Sequence, residues 1–193
     1  DIRSKQAAAA VGQCELMYTY DKLFSEYHHT VAQLLITGDD TTNDTRRFNF
    51  TNTLNRLLEL GALPVINEND TVATDEIVIG DNDTLAAIVA RSVHAEMLIL
   101  LSDIDGLYTA DPHTHPEAAL LHHVAGIDDH IREIAGISSS TQGTGGMVTK
   151  LHAADICLGC GCKMVIANGN NPGNLYDILE GKTVGTTFSE ERL

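Results

Sequence analysis

Tryptophan is absent from the 193 residues, and proline and cysteine each occur only four times. Positive charge is scarce as well: 12 Lys and Arg stand against 27 Asp and Glu, a formal balance of −15. With a sequence pI near 4.7, the chain lacks the cationic face that nucleic-acid phosphates require. Any phosphate it binds must be met by a few local cations, backbone N–H groups or a metal. No apolar run free of charge is long enough to span a membrane. The start, DIRSKQAAAA, has no basic stretch, apolar core and cleavage site of a signal peptide. Four cysteines do not make a disulfide framework in a chain this long, so a reducing, cytoplasmic setting is expected.

Three of those cysteines fall together in CLGCGC, as Cys157, Cys160 and Cys162; Cys14 stands apart. A single cluster, with His152 five residues ahead, is not the two separated pairs of a structural zinc site. Small buried thiols at the end of a helix, with Gly161 as its stop, are expected instead. The nine histidines read as surface residues.

What is present suits one sizeable α/β domain: 43% of the residues are hydrophobic and 20% charged. Helical spacing runs from Ser4 to about Tyr27. Val31 to Thr37 has strand length. Asp44 is expected to cap a helix through Leu60, with Gly61 ending it. Val65 and Ile66 mark a buried strand, and Asp83 or Thr84 caps the next helix. Met97 to Leu101 is a continuous apolar run, as in a parallel strand covered on both faces. Asp128 to Ala135 and Thr149 to Leu158 read as helices, with CKMVIANG as a strand between the second helix and the C-terminus. Strands alternating with helices predict a mainly parallel sheet with helices on both faces. Ligands then gather at the carboxyl ends of the strands. Four segments leave such ends: Asn67 to Asp70, Ser102 to Pro112, Thr144 to Lys150, and Ala167 to Gly173. Each taken alone is also a good turn.

The stretch GTGGMVTK carries the most chemistry. Gly143, Gly145 and Gly146 let backbone N–H groups approach a ligand, and a helix opens immediately afterwards. Lys150 in its first turn opposes the helix dipole unless an anion is bound there. It is not a Walker motif, because no Gly-Lys-Ser/Thr follows. A second group, Asp70, Asp81, Asn82 and Asp83, can receive an ammonium group, coordinate Mg²⁺ or cap a helix. Capping accounts for Asp83 or Thr84 and leaves Asp81 and Asn82 over. A third, Ser102, Asp103, Asp105, Thr109 and Asp111, forms either one wall of a nucleotide pocket or a solvated acidic loop.

In their order and spacing, VINEND, GDNDTLAA, LLSDIDGLYTADP, GTGGMVTKLHAA and ANGNNPG resemble the glutamate 5-kinases of the amino acid kinase family. SKQAAAAVGQ and EGKTVGTTF extend the resemblance over nearly the whole chain. It implies a three-layer αβα sandwich and ATP-dependent phosphorylation of the side-chain carboxylate of L-glutamate. That is the first step of proline biosynthesis, with proline a common feedback inhibitor and Mg²⁺ accompanying ATP. Carried over, Asp70 and Asn82 bind glutamate with Asn67 nearby, and Ser102 and Asp103 contact ATP. Thr144, Gly145, Gly146, Met147, Val148, Thr149 and Lys150 wrap the phosphates, with Lys150 on the transferring phosphoryl. Asp83 orients catalytic lysines. A dimer or tetramer is implied, with neither nucleic acid nor membrane as partner. The family pattern starts with two strands and a Gly/Ser loop that do not precede Asp1, and some members end in an RNA-modification-type domain that does not follow Leu193. The chain is therefore read as an amino acid kinase domain over 1–193 without its first strands. Two other readings compete: another phosphotransferase of the same family, and a non-catalytic glutamate- or proline-binding module.

Overall fold

The computed structural model describes residues 1–72, 79–112, 114–137 and 146–190. Two compact units divide the chain, Asp1–Leu85 and Ala86–Leu193.

In the first unit, helix α1 (Ile2–Ser25) begins where the Asp1 carboxylate accepts the Arg3 N–H at 3.1 Å. None of its residues is buried. Strand β1 (Val31–Ile36) leads into a short helix, α2 (Gly38–Thr42), that the sequence pattern does not announce. A capping box between Thr37 and Asp40 creates it, and Arg46 holds the same carboxylate at 2.7 Å. Helix α3 (Asp44–Glu59) is capped by Asn43, one residue before the expected Asp44. Both residue types accept the orphan N–H equally well. Phe50 and Leu54, one turn apart, form its buried stripe, and Gly61 ends it at φ +70°. Strand β2 (Leu63–Glu68) pairs parallel to β1, Val31 opposite Leu63 and Ile36 opposite Glu68. Val65 and Ile66 are half-buried, not buried as expected, because this sheet has only two strands.

Helix α4 (Asn82–Ser92) begins at the end of the first unit and continues into the second. The second unit then holds β3 (Met97–Ser102), β4 (His123–Val124), α5 (Asp129–Ile137), α6 (Met147–Leu158), β5 (Lys163–Asn168), α7 (Asn174–Leu179) and β6 (Thr186–Phe188). Its sheet has the order β3-β5-β6-β4. The β3–β5 and β4–β6 pairs are parallel and β5–β6 is antiparallel, so parallel pairing predominates as expected.

Of the two long strands of this unit, β5 is the more buried, not β3. Met164, Val165, Ile166 and Ala167 are at most 1% exposed, whereas Leu101 of β3 is 48% exposed. Position explains the difference: β5 has neighbours on both sides and β3 lies at the edge of this sheet. Met164 and Ile166 join one face, packed with Ala87 of α4, Ile134 of α5, and Leu151 and Cys157 of α6. Val165 and Ala167 join the other, with Ile178 of α7. Helices thus cover both faces, and each fully buried large side chain contributes roughly 1.5–3 kcal/mol.

The short β6 is fixed by tertiary contacts. Buried Thr186 Oγ1 donates to the Leu121 carbonyl (2.6 Å) and accepts the Leu107 N–H (2.8 Å). Gly185 precedes it at φ +61°, where a side chain would collide with the Ile166 carbonyl. His123, expected at the surface, is half-buried and anchored to the Ser189 carbonyl at 3.1 Å. Among the described residues, no helix is long and apolar enough to cross a membrane.

Candidate active site

In the first unit, the carboxyl end of β2 opens into a pocket of about 280 Å³. Gln13, Gly12, Asn67, Glu68, Asp70 and Thr71 are among its lining residues. Asn67 is fixed at both ends of its amide: Nδ2 donates to Gln13 Oε1 (3.1 Å) and Oδ1 accepts the Glu68 N–H (3.0 Å). The Gln13 Nε2 is buried and has no hydrogen-bond partner. An unmet buried donor costs about 1–3 kcal/mol, so this amide is a ready donor for a bound acceptor. Two carboxylates and one unmet amide donor suit a ligand that carries both an ammonium and an acceptor group.

Glu68, the last residue of β2, is 9% exposed. Its carboxylate accepts the N–H groups of Ile79 (2.7 Å) and Gly80 (3.2 Å). The strand end is thereby tied to the chain that enters α4. There the cap is Asp81, correcting the assignment to Asp83 or Thr84. Asp81 Oδ1 accepts the Thr84 N–H (2.7 Å), and Oδ2 accepts the Thr84 hydroxyl (2.8 Å). Asn82 and Asp83 occupy the following helical positions, Asn82 exposed and Asp83 half-buried.

In the second unit, Ser102 ends β3, and its hydroxyl donates to Asp103 Oδ1 at 3.1 Å. The chain beyond is held as a hairpin rather than a free acidic loop. Thr109 N–H reaches the Ala119 carbonyl (2.9 Å), and Leu121 N–H reaches that of Leu107 (2.8 Å). Asp105 accepts from Asn168 Nδ2 (2.8 Å) and from the Tyr108 hydroxyl (3.0 Å). Burial first, and then the Asp105 hydrogen bond and charge, push the Tyr108 phenol above its ordinary value.

Helix α6 starts at Met147, two residues earlier than expected, and Gly146 caps it without a side chain. Gly146, having no side chain, contributes no capping oxygen of its own. Met147 and Lys150 are buried, Val148 is exposed, and the Thr149 hydroxyl donates to the Gly146 carbonyl at 2.7 Å. Lys150 is 8% exposed. Thr144, Gly145 and Gly143 lie outside the described residues.

The pocket of the first unit thus unites Asn67 and Asp70 of the expected residues and adds Gln13 and Glu68, which the motif reading did not assign. Gln13 carried one weak signal, a polar residue beside Gly12 in an alanine-rich helix. Asn168 likewise sits in an anticipated segment without an anticipated role, and Asp105, expected in the wall of a nucleotide pocket or in a solvated loop, bonds Asn168 and Tyr108. Cys157 and Cys162 are buried at the end of α6 and just beyond it, and Gly161 turns the chain at φ +73°. Burial, and then the neighbouring Cys162, push the Cys157 thiol up to about 12.

The sequence profile of the amino acid kinase family matches residues 1–168. A glutamate 5-kinase of Clostridium perfringens is 51% identical over 191 residues, covering 97% of this chain and 71% of that protein. One from Listeria innocua is 47% identical over 195 residues, covering 99% and 71%. In fold, the chain is similar to a carbamate kinase from Giardia lamblia bound to AMP-PNP. The TM-score is 0.61 at 15% identity, with 98% of this chain and 79% of that one covered.

Proposed function

The chain belongs to the amino acid kinase family, and from that premise we propose that it transfers the γ-phosphoryl group of ATP to the side-chain carboxylate of L-glutamate. The products are γ-glutamyl phosphate and ADP. One observation carries the reading: identity of 51% to a glutamate 5-kinase over 97% of this chain. The donor set at the end of β2 supports it. Asp70, with Asn82 and Asn67, receives the amino acid, and its negative charge suits the ammonium group. The Gln13 Nε2 supplies a donor for a carboxylate oxygen.

The acceptor needs no general base, because a glutamate carboxylate is ionised at neutral pH. Catalysis reduces to alignment and to neutralising charge on the transferring group. Ser102 and Asp103 contact the nucleotide. Gly146, Met147 and Val148 offer backbone N–H groups to the phosphates, and Thr144, Gly145 and Thr149 complete the wrap around them. Lys150 neutralises the transferring phosphoryl, and Asp83 orients the lysine side chains around it. No three His, Cys, Asp or Glu side chains gather as a metal site among the described residues. Mg²⁺ would be carried on the nucleotide phosphates, where one or two protein oxygens suffice to hold it. Mg²⁺ bound in this way adds to the neutralisation of phosphate charge.

The reaction is the first step of proline biosynthesis, in the cytoplasm. Proline is the expected feedback ligand and a dimer or tetramer the expected assembly. The test is ADP release from Mg-ATP on addition of L-glutamate, with hydroxylamine trapping the acyl phosphate as γ-glutamyl hydroxamate. Release with UMP or carbamate in place of glutamate overturns the substrate assignment. Glutamate binding displaced by proline, without ADP, points to a non-catalytic binding module.

A further inference from the structure

The ends of β3 and β5 are joined beyond their last paired residues. Ser102 lies opposite Asn168 in the parallel register. Gly169 N–H reaches the Ser102 carbonyl at 2.7 Å, as a final rung. Past it both chains turn away from the sheet, and the carboxylate of Asp105 spans the gap. Oδ1 accepts from Asn168 Nδ2 at 2.8 Å and Oδ2 from the Tyr108 hydroxyl at 3.0 Å.

The Asn168 side chain is held for this contact. Its Oδ1 accepts the Asn170 N–H at 2.9 Å, which turns Nδ2 toward Asp105. Its backbone carbonyl accepts Asn174 Nδ2 at 3.0 Å. The backbone of Asp105 is confined too: a Cβ on Gly185 would lie 2.8 Å from its carbonyl oxygen. An Asp serving only a turn bonds its own backbone two residues on. Here one oxygen bridges 63 residues and the other fixes the loop's tyrosine.

We propose that Asp105 is a positioning residue for the nucleotide: by clamping the loop after β3 to the end of β5, it presents Ser102 and Asp103 in the geometry that the nucleotide requires. The proposal rests on the assignment of Ser102 and Asp103 to ATP. Asp105 itself touches no reacting atom. Its loss loosens the loop, which must then be ordered when the nucleotide binds.

The experiment compares Asp105→Ala, Asn168→Ala and the double variant with the wild-type chain. Each single variant is expected to raise the KM for ATP about three- to tenfold, with kcat and the KM for glutamate within about twofold. The double variant should be no worse than the stronger single one, because both break the same bridge. Ultraviolet titration gives a second readout: the phenol signal lost in Tyr108→Phe should move to lower pH in Asp105→Ala. An unchanged KM for ATP, or an unmoved phenol signal, overturns the proposal. If the wild-type chain releases no ADP but binds ATP, the proposed reaction fails alone, and calorimetric ATP affinity replaces KM. Equal affinity in Asp105→Ala then overturns the clamp. A wild-type chain that binds no nucleotide overturns both.

Discussion

Glu68 holds Ile79: its buried carboxylate accepts the Ile79 N–H at 2.7 Å, and the next N–H, of Gly80, at 3.2 Å. A buried carboxylate is tolerated only when its oxygens are hydrogen-bonded. This one meets that need by joining the end of β2 to the segment leading into α4. Asn67 and Asp70 flank Glu68 on one side of the join, and Asn82 and Asp83 follow on the other. Glu68→Gln puts an amide N–H₂ where one backbone N–H now finds an acceptor. The expected result is a KM for glutamate raised at least fivefold, with the KM for ATP within about twofold. The cost in urea unfolding should be about 1–3 kcal/mol. Equal changes in both KM values would assign Glu68 to general stability instead.

Asp81 gives a contrasting case. Both carboxylate oxygens bond Thr84, at 2.7 and 2.8 Å, so its work is done within the first turn of α4. Asp81→Ala should cost about 1 kcal/mol in urea unfolding, and Asp81→Asn a few tenths. Glutamate dependence should change no more than stability does. A KM for glutamate raised tenfold in Asp81→Asn, at unchanged stability, would make Asp81 a ligand of the substrate.

These two carboxylates mark where the sequence stops being legible. Long helices such as α1, α3 and α6, and strands of five or six apolar residues, announce themselves by period. In the run Asp81, Asn82, Asp83, Thr84 nearly every residue is able to cap, and local chemistry does not choose among them. An apolar run likewise does not say whether its strand lies inside the sheet, so β3, expected to be covered on both faces, lies at the edge of its sheet with Leu101 48% exposed. The short strands β4 and β6 depend on partners far along the chain. Thr186, for example, is held by Leu121 and Leu107. Gln13 becomes a pocket residue only because Asn67, 54 residues away, takes its Oε1. The motifs located the strand ends that carry the candidate site. Which side chains cooperate there was decided by tertiary contacts.

Lys150 and Asp70 should separate in kinetics. Lys150, 8% exposed in the first turn of α6, is assigned to charge that develops during transfer. Asp70, exposed at the pocket of the first unit, is assigned to ground-state binding. Lys150→Met keeps much of the buried volume and should lower kcat about 10²–10³-fold, with the KM for glutamate little changed. Asp70→Asn should raise the KM for glutamate about tenfold or more, with kcat within a few-fold. Initial rates over a grid of ATP and glutamate concentrations separate the two. An unaltered kcat in Lys150→Met would remove Lys150 from the transferring group.

Cys157 supplies a pH dependence away from the site. Burial, followed by the influence of Cys162, holds its thiol up to about 12 in the folded chain, against about 8.5 for a free cysteine. Below pH 8 both folded and unfolded chains keep the proton, and the stabilising effect is complete. As pH rises toward 12, the unfolded chain releases its proton while the folded chain keeps it. The folded state then binds more protons, so stability falls with rising pH, by up to about 1.4 kcal/mol per pH unit for this one group. Urea midpoints measured from pH 7 to 10.5 should show that fall, and Cys157→Ala should flatten part of it. The same burial protects the thiol: near pH 8, iodoacetamide should label exposed Cys14 and Cys160 and spare Cys157 and Cys162. Labelling of Cys157 at the rate of Cys160 in the folded chain would show that the end of α6 opens far more readily than its packing implies.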